Sequence, residues 1–279
     1  MSTTISNTPA EIVDVAKDAL LHKAKAPLAT KVTSAMFAGA MIALGFVFYV
    51  TSQNGSAGMP YGLAKVVGGI VFSVGLGLVV ITGADLFTST SMTPILLKDK
   101  LISPVEMVLH WVVVYLGNML GAFLIVLFIF FGGTAHQGHG GWGAVVINTA
   151  LSKTSHSFSE SVCLGIMCNI FVCLAVWLAY AGKTVSDKVL ALTLPIGAFV
   201  ATGFEHSVAN MFMIPLALLL KGQADPAVME AMAGTDISGL TISSYLIHNL
   251  VPVTIGNLIG GSIIALGMAY WHRERVHHA

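Results

Sequence analysis

The chain has 279 residues, of which 56% are apolar, 9% are charged and 29 are glycine. Thirteen Lys/Arg balance thirteen Asp/Glu, so the net charge is zero and there is no basic stripe of the kind a nucleic-acid binder needs. A mean hydropathy of +0.85 excludes a disordered chain. Soluble domains carry roughly a quarter charged residues, so the remaining class is an all-α integral membrane protein.

Residues 1–30 contain Glu11, Asp14, Lys17, Asp18, Lys23 and Lys25, where a secretory signal would be continuous and apolar, so no signal peptide is read there. After Pro9, the segment Ala10–Leu21 puts Ile12, Val13, Ala16, Ala19 and Leu20 on one helical stripe. That helix is expected either to modulate access at a cytoplasmic mouth or to act as an interfacial anchor. Uncharged runs at Val32–Val50, Met107–Phe131, Ser161–Gly182 and Tyr245–His272 can each cross a hydrocarbon core of about 30 Å.

Two further runs, Val66–Leu97 and Val189–Leu220, are 32 residues long and are interrupted only by Asp85 or by Glu205 with His206. A straight helix of that length would reach about 48 Å, so each run is predicted to break near the midplane. Six crossings result, two of them discontinuous. The chain divides into a cytoplasmic N-terminal segment (1–30), a six-helix membrane domain (31–272) and a cytoplasmic tail (273–279). Cys163, Cys168 and Cys173 stand at five-residue steps and face different ways on a helix, so they read as packing residues. No metal or cofactor is expected.

Lysine and arginine set the orientation. Lys17, Lys23, Lys25, Lys31, Lys98, Lys100, Lys183, Lys188, Arg273 and Arg275 fall on one side, and Lys65, Lys153 and Lys221 on the other, which places both termini in the cytoplasm. A repeat is visible as well. Gly117-Asn118-Met119-Leu120-Gly121 matches Gly256-Asn257-Leu258-Ile259-Gly260, and Gly83-Ala84-Asp85 matches Gly203-Phe204-Glu205. Three crossings per unit make the second unit insert upside down, and such inverted repeats with paired broken helices mark a transport path at their interface.

Irregular backbone at membrane depth needs internal partners. Thr88, Ser89, Thr90 and Ser91 at the first break, and Ser207 at the second, are expected to cap the restarting half-helices, whose free N–H groups would favour an anion. His206 reads as the only histidine deep in a span, with His110 and His248 at span ends; its imidazole can donate a hydrogen bond or a proton. Asp85 and Glu205 are costly in the membrane unless paired, and with Asn210 they are expected to tie the loops down, aided by a lysine such as Lys23 or Lys25. Asn118, Asn169 and Asn257 suit interhelical hydrogen bonding, and the paired glycines suit close helix packing. His136-Gln137-Gly138-His139 lies in a glycine-rich outer loop.

At these residues the chain resembles the formate/nitrite transporter family, and its formate-channel type in particular. The strings that carry the resemblance are Phe46-Val47-Phe48-Tyr49, Met59-Pro60-Tyr61-Gly62, Gly83 through Thr90, Gly203 through Pro215, and Pro252 through Asn257. The resemblance implies an aquaporin-like protomer, a homopentamer in the bacterial inner membrane, and formate or a similar small anion as the transported species, with lipid as the other partner. It implies a central histidine at His206 with Thr88 beside it, and apolar constrictions at Leu86, Phe87, Phe72, Leu76, Val172 and Phe199. It further implies polar path residues at Asn169 and Asn257 and a vestibule lysine at Lys153. Nitrite or hydrosulfide is the runner-up substrate, and a secondary transporter with alternating access would share the repeat. A membrane haem enzyme would need facing histidine pairs, which the spans do not offer.

Overall fold

Capping chemistry writes many of the helix starts. A computed structural model describes residues 6–276; the side chains of Arg273 and Arg275 lie outside the described residues. Helix α1 (Pro9–Lys25) opens on a capping box in which Thr8 and Glu11 exchange backbone hydrogen bonds. The same device opens α6 (Pro104–Phe131), α8 (Phe158–Ala181) and α9 (Val185–Ala201), through Ser103 with Glu106, Ser157 with Glu160 and Thr184 with Asp187. Between these lie α2 (Leu28–Gln53), α3 (Tyr61–Thr82), α4 (Phe87–Thr90), α5 (Pro94–Lys98) and α7 (Gly141–Thr154). The chain continues as α10 (Ser207–Gln223), α11 (Pro226–Ala231), a π-helical turn over Ser244–Leu250, and α12 (Val251–Val276). Five stretches among the described residues are long and apolar enough to cross a membrane: α2, α3, α6, α8, and the π turn with α12.

Both long runs break at the glycine two residues before the acid. Gly83 has φ +73° and Gly203 φ +77°, the left-handed conformation that stops a helix at little cost only when the residue lacks a Cβ. The restarts differ from each other. Beyond the second break, α10 runs 17 residues as one half-helix. Beyond the first, the one-turn α4 bends at residues 91–93 before α5, instead of continuing as the single half-helix the sequence suggested. Pro94 explains the bend, because it lacks the N–H that would bond back to the Thr90 carbonyl. That carbonyl accepts from the Thr93 N–H at 3.0 Å, in a tighter turn, and from the Trp111 indole at 3.2 Å.

Helix α2 packs along α6, α8 along α12, and α3 meets α9 across the molecule. The paired glycines make this possible: a methyl group on Gly121 would collide with the Met36 carbonyl, and one on Gly256 with the Val162 carbonyl. One end of the molecule gathers α1, the turn after α5, the start of α6 and the end of α8. Lys17 pairs with Asp99, Lys25 with Glu106 at 2.6 Å, and Asn7 donates to the Tyr180 carbonyl at 2.7 Å. Ile12, Val13, Ala16, Leu20 and Ala24 bury the apolar stripe of α1 against this end. At the opposite end lie α7, α11 and the π turn.

Candidate functional site

The two breaks are braced in the same way, bond for bond. At the first, the Phe87 N–H donates to Asn118 Oδ1 at 2.8 Å, and Asn118 Nδ2 donates to the carbonyls of Ala35 (2.7 Å) and Asp85 (3.0 Å). At the second, the Ser207 N–H donates to Asn257 Oδ1 at 2.9 Å, and Asn257 Nδ2 donates to Gly165 (2.8 Å) and Glu205 (3.0 Å). The first N–H of each restart is therefore capped by an amide from a neighbouring helix, joined at the second break by His206 Nδ1, which corrects the expectation of hydroxyl caps. Ser89 donates to the Leu86 carbonyl at 2.8 Å, Thr90 to Asp85 Oδ1 at 2.6 Å, and Ser91 to the Thr88 carbonyl. The reason is register: the N-cap positions belong to Leu86 and His206, so the hydroxyls of Ser89, Thr90 and Ser91, three to five residues beyond Leu86, reach back to groups already behind them. Asn118 and Asn257 thus take the first N–H group of each restart, leaving fewer of them for an anion than the sequence reading supposed.

Neither acid pairs directly with Lys23 or Lys25, although Lys23 does tie down the first break at the residue before Asp85. Asp85 is buried, and its carboxylate accepts from Thr90 and meets His110 Nε2 at 2.7 Å. Lys23 reaches the neighbouring Ala84 carbonyl at 2.8 Å, while Lys25 is spent on Glu106. His110, expected at a span end, is 1% exposed, because α6 starts well outside the break and carries its second turn inward to Asp85. Glu205 pairs with Lys153 at 2.9 Å and accepts from Asn210 at 2.7 Å and Asn249 at 3.0 Å. Asn249 also donates to the Lys153 carbonyl at 2.8 Å, so one amide grips both members of the ion pair.

Thr88 and His206 bring the breaks together, with Oγ1 and Nε2 3.1 Å apart. His206 Nδ1 accepts from the Ala209 N–H at 3.1 Å. This pattern assigns the proton of a neutral ring to Nε2, which then donates to Thr88 Oγ1 and leaves the Thr88 hydroxyl proton available to a ligand. The Thr88 carbonyl is pinned by Asn169 at 3.1 Å, Cys173 at 3.4 Å and Ser91. The imidazole lies against Phe199, with ring centroids 5.9 Å apart at 25°, and Phe199 meets Phe72 edge-on at 5.9 Å.

A cavity of about 240 Å³ runs from exposed Asn148 and Ser152 down to buried Phe72, Phe199 and His206. Lys65, Lys153 and His156 line it together with Glu205, so two ammonium groups face one carboxylate and the lining carries one net positive charge. The remaining expected residues sit elsewhere. Leu76, Leu86, Phe87 and Val172 are buried outside this cavity, with Phe87 against Tyr115 at 4.8 Å. Asn169 and Asn257 are also buried outside it and direct their amide donors to neighbouring carbonyls and Ser91.

Sequence reasoning passed over Lys65, His156, His110 and Asn249. A signal existed for Asn249, a further amide inside the last span, but none for His110 beyond its residue type. In the outer loop His136 pairs with Asp225 at 3.0 Å. Among the described residues no group of three His, Cys, Asp or Glu is arranged to hold a metal.

Comparison with known proteins follows the same lines. Residues 10–272 match the family described as formate/nitrite transporter. The chain is 45% identical to the formate channel FocA of Escherichia coli (strain K12), over 97% of this chain and 96% of the relative. It is 44% identical to the formate channel FocA of Haemophilus influenzae, over 93% and 92%. A solved structure described as a pentameric formate channel with formate bound is similar with a TM-score of 0.80 at 37% identity, covering 88% of this chain and 96% of that one.

Proposed function

The chain belongs to the formate/nitrite transporter family, and on that premise we propose that it is a membrane channel for formate and related small monovalent anions. The observation that carries this reading is the cavity. Its lining has one net positive charge, and it ends on two phenyl rings and an imidazole whose donor is already aimed at Thr88. Lys65 and Lys153 draw an anion inward. A bare carboxylate entering the apolar ring beyond loses hydration worth several kcal/mol. His206 and Thr88 offset part of that loss, either by donating hydrogen bonds to the formate oxygens or by lending a proton so that the neutral acid crosses. Phe72 and Phe199 exclude water and larger anions, with Leu76, Leu86, Phe87 and Val172 forming the apolar surroundings on either side.

The protomer is a six-crossing unit built from two inverted three-helix repeats, a reading supported by the bond-for-bond match of the Asn118 and Asn257 braces. Five copies assemble, as in the solved relative. The α1 end faces the cytoplasm of a bacterial inner membrane, since ten of the thirteen Lys/Arg lie toward that side. The test is flux through liposomes containing the purified full chain, comparing formate, nitrite, hydrosulfide, acetate and a sugar alcohol. Formate is expected to pass fastest and the sugar alcohol not at all. Absence of formate flux, or equal passage of the sugar alcohol, overturns the reading. Accumulation against a formate gradient would assign alternating access instead of a channel.

A further inference from the structure

The polar groups along the cavity divide into two sets. The deep ones are committed to one another: Lys153 to Glu205 at 2.9 Å, and His206 to Thr88 at 3.1 Å. Because the Lys153 charge is matched by its carboxylate, the net positive charge of the lining belongs to Lys65. Lys65 forms no ion pair or hydrogen bond among the described residues, and its ammonium stands 5.5 Å from the centroid of the Tyr61 ring. Tyr49 belongs to the same uncommitted set. It is 7% exposed and lines the cavity, yet its hydroxyl has no hydrogen-bond partner among the described residues. A tyrosine buried to that degree ordinarily finds one.

The packing puts these two groups on one wall. The Tyr49 ring is seated on Gly68, where a methyl group would collide with it, and Gly68 lies three residues after Lys65 on the same face of α3. From Tyr49 the wall continues inward through Phe46, met edge-on at 5.5 Å, and on to Phe72 at 4.9 Å. The Lys153 ammonium stands 5.9 Å from the centroid of Phe46. An aromatic wall therefore leads from Lys65 and Tyr49, past Lys153, to the rings against which His206 lies.

The geometry points to a second anion site at the mouth of the cavity, where the Lys65 ammonium and the Tyr49 hydroxyl hold the carboxylate of an incoming small monovalent anion before it reaches Lys153. The hydroxyl donates to an oxygen that carries charge, and such bonds are about twice as strong as neutral ones. The ammonium adds attraction without a fixed direction, on a flexible stem. Capture from bulk water falls to Lys65 because its charge is unmatched, whereas Lys153 and Glu205 cancel at a distance. A cation is repelled by Lys65, and the Glu205 carboxylate is already taken by Lys153, Asn210 and Asn249.

This site rests on the formate-channel reading, and one experiment separates the two. Formate flux into liposomes carrying the full chain is measured against formate concentration for the parent, Lys65→Gln, Lys65→Arg and Tyr49→Phe. Lys65→Gln is expected to raise the half-saturating concentration about threefold, the effect of one unit charge acting through water at about 6 Å, without lowering the maximal flux. Lys65→Arg restores the charge and is expected to match the parent. Tyr49→Phe removes one oxygen and is expected to raise the half-saturating concentration about fivefold, the scale of one net hydrogen bond. A merely structural role would lower the maximal flux instead. A parental half-saturating concentration in either Lys65→Gln or Tyr49→Phe overturns the site and leaves Lys65 as an interfacial anchor. Should Lys65→Gln fail to assemble, Tyr49→Phe decides alone. Absence of formate flux in the parent overturns the channel reading, and the site with it.

Discussion

The first and second breaks solve one backbone problem with the same part and one charge problem with different parts. In both, an asparagine on a helix of the same half accepts the first N–H of the restarting helix and returns its amide to the carbonyl of the acid. Beyond that the two diverge. The second break restarts as a long helix capped by His206 itself, with its acid paired to a lysine from α7. The first restarts as a single turn, its acid meets a histidine, and it alone is tethered from outside, by Lys23 of α1. Backbone satisfaction at membrane depth is obligatory and so recurs. The counter-group is not fixed by that requirement, and the two breaks accordingly carry different charge partners.

The largest effect is expected where that comparison is sharpest. Lys153→Met strands the buried Glu205 carboxylate and is expected to cost about 4 kcal/mol, the scale of an orphaned buried charge. Adding Glu205→Gln should recover most of it. Reversible unfolding of the single and double variants in micelles would measure both; a double variant no more stable than Lys153→Met would mean that the pair is not what holds the second break. Next come Asn118→Leu and Asn257→Leu, each of which leaves a buried N–H and two carbonyls without partners, for about 3 kcal/mol apiece. Equal losses would support the equivalence of the two braces, and a difference above about 2 kcal/mol would break it.

Conduction offers the third comparison. His206→Phe removes every polar contact that the second break presents to Thr88 and is expected to slow formate flux on the order of a hundredfold, the equivalent of about 3 kcal/mol of barrier. His206→Asn retains hydrogen bonding without titration and should conduct with an altered pH profile. If it keeps the parental profile, proton donation by His206 is excluded and hydrogen bonding alone carries the chemistry.

The smallest effect concerns the tether. Hydrogen bonds from the Thr8 backbone N–H and hydroxyl hold the Glu11 carboxyl below its ordinary value of 4.5. A depressed carboxylate stabilises the helix above that value and loses the contribution as pH falls through the lowered one. Acidification below about pH 4 is therefore expected to fray the first turn of α1 and leave the second break untouched. Hydrogen exchange at the Glu11 and Ile12 amides against residues 207–210 would show the contrast; parallel loss of protection would contradict it.

Several features of this protein are properties of local sequence, and the chain alone determines them. Two runs too long for a bilayer must break, glycine is where they break most cheaply, and an acid next to the break must find a partner. The apolar stripe of α1 is local in the same way, because helical periodicity places its residues before any neighbour is present. What that partner would be was not legible. Asp85 meets His110, twenty-five residues away, only because α6 lies against α2 and carries its second turn inward; Glu205 meets Asn249 only because the π turn brings that amide over the Lys153 carbonyl. The hydroxyl-rich string after Asp85 suggested caps, yet in three dimensions the first N–H of each restart is capped by an amide on another helix. Length, hydropathy and backbone punctuation act within a segment, whereas the pairing of buried charges and unsatisfied N–H groups is decided by which helices touch, and only the tertiary structure settles that.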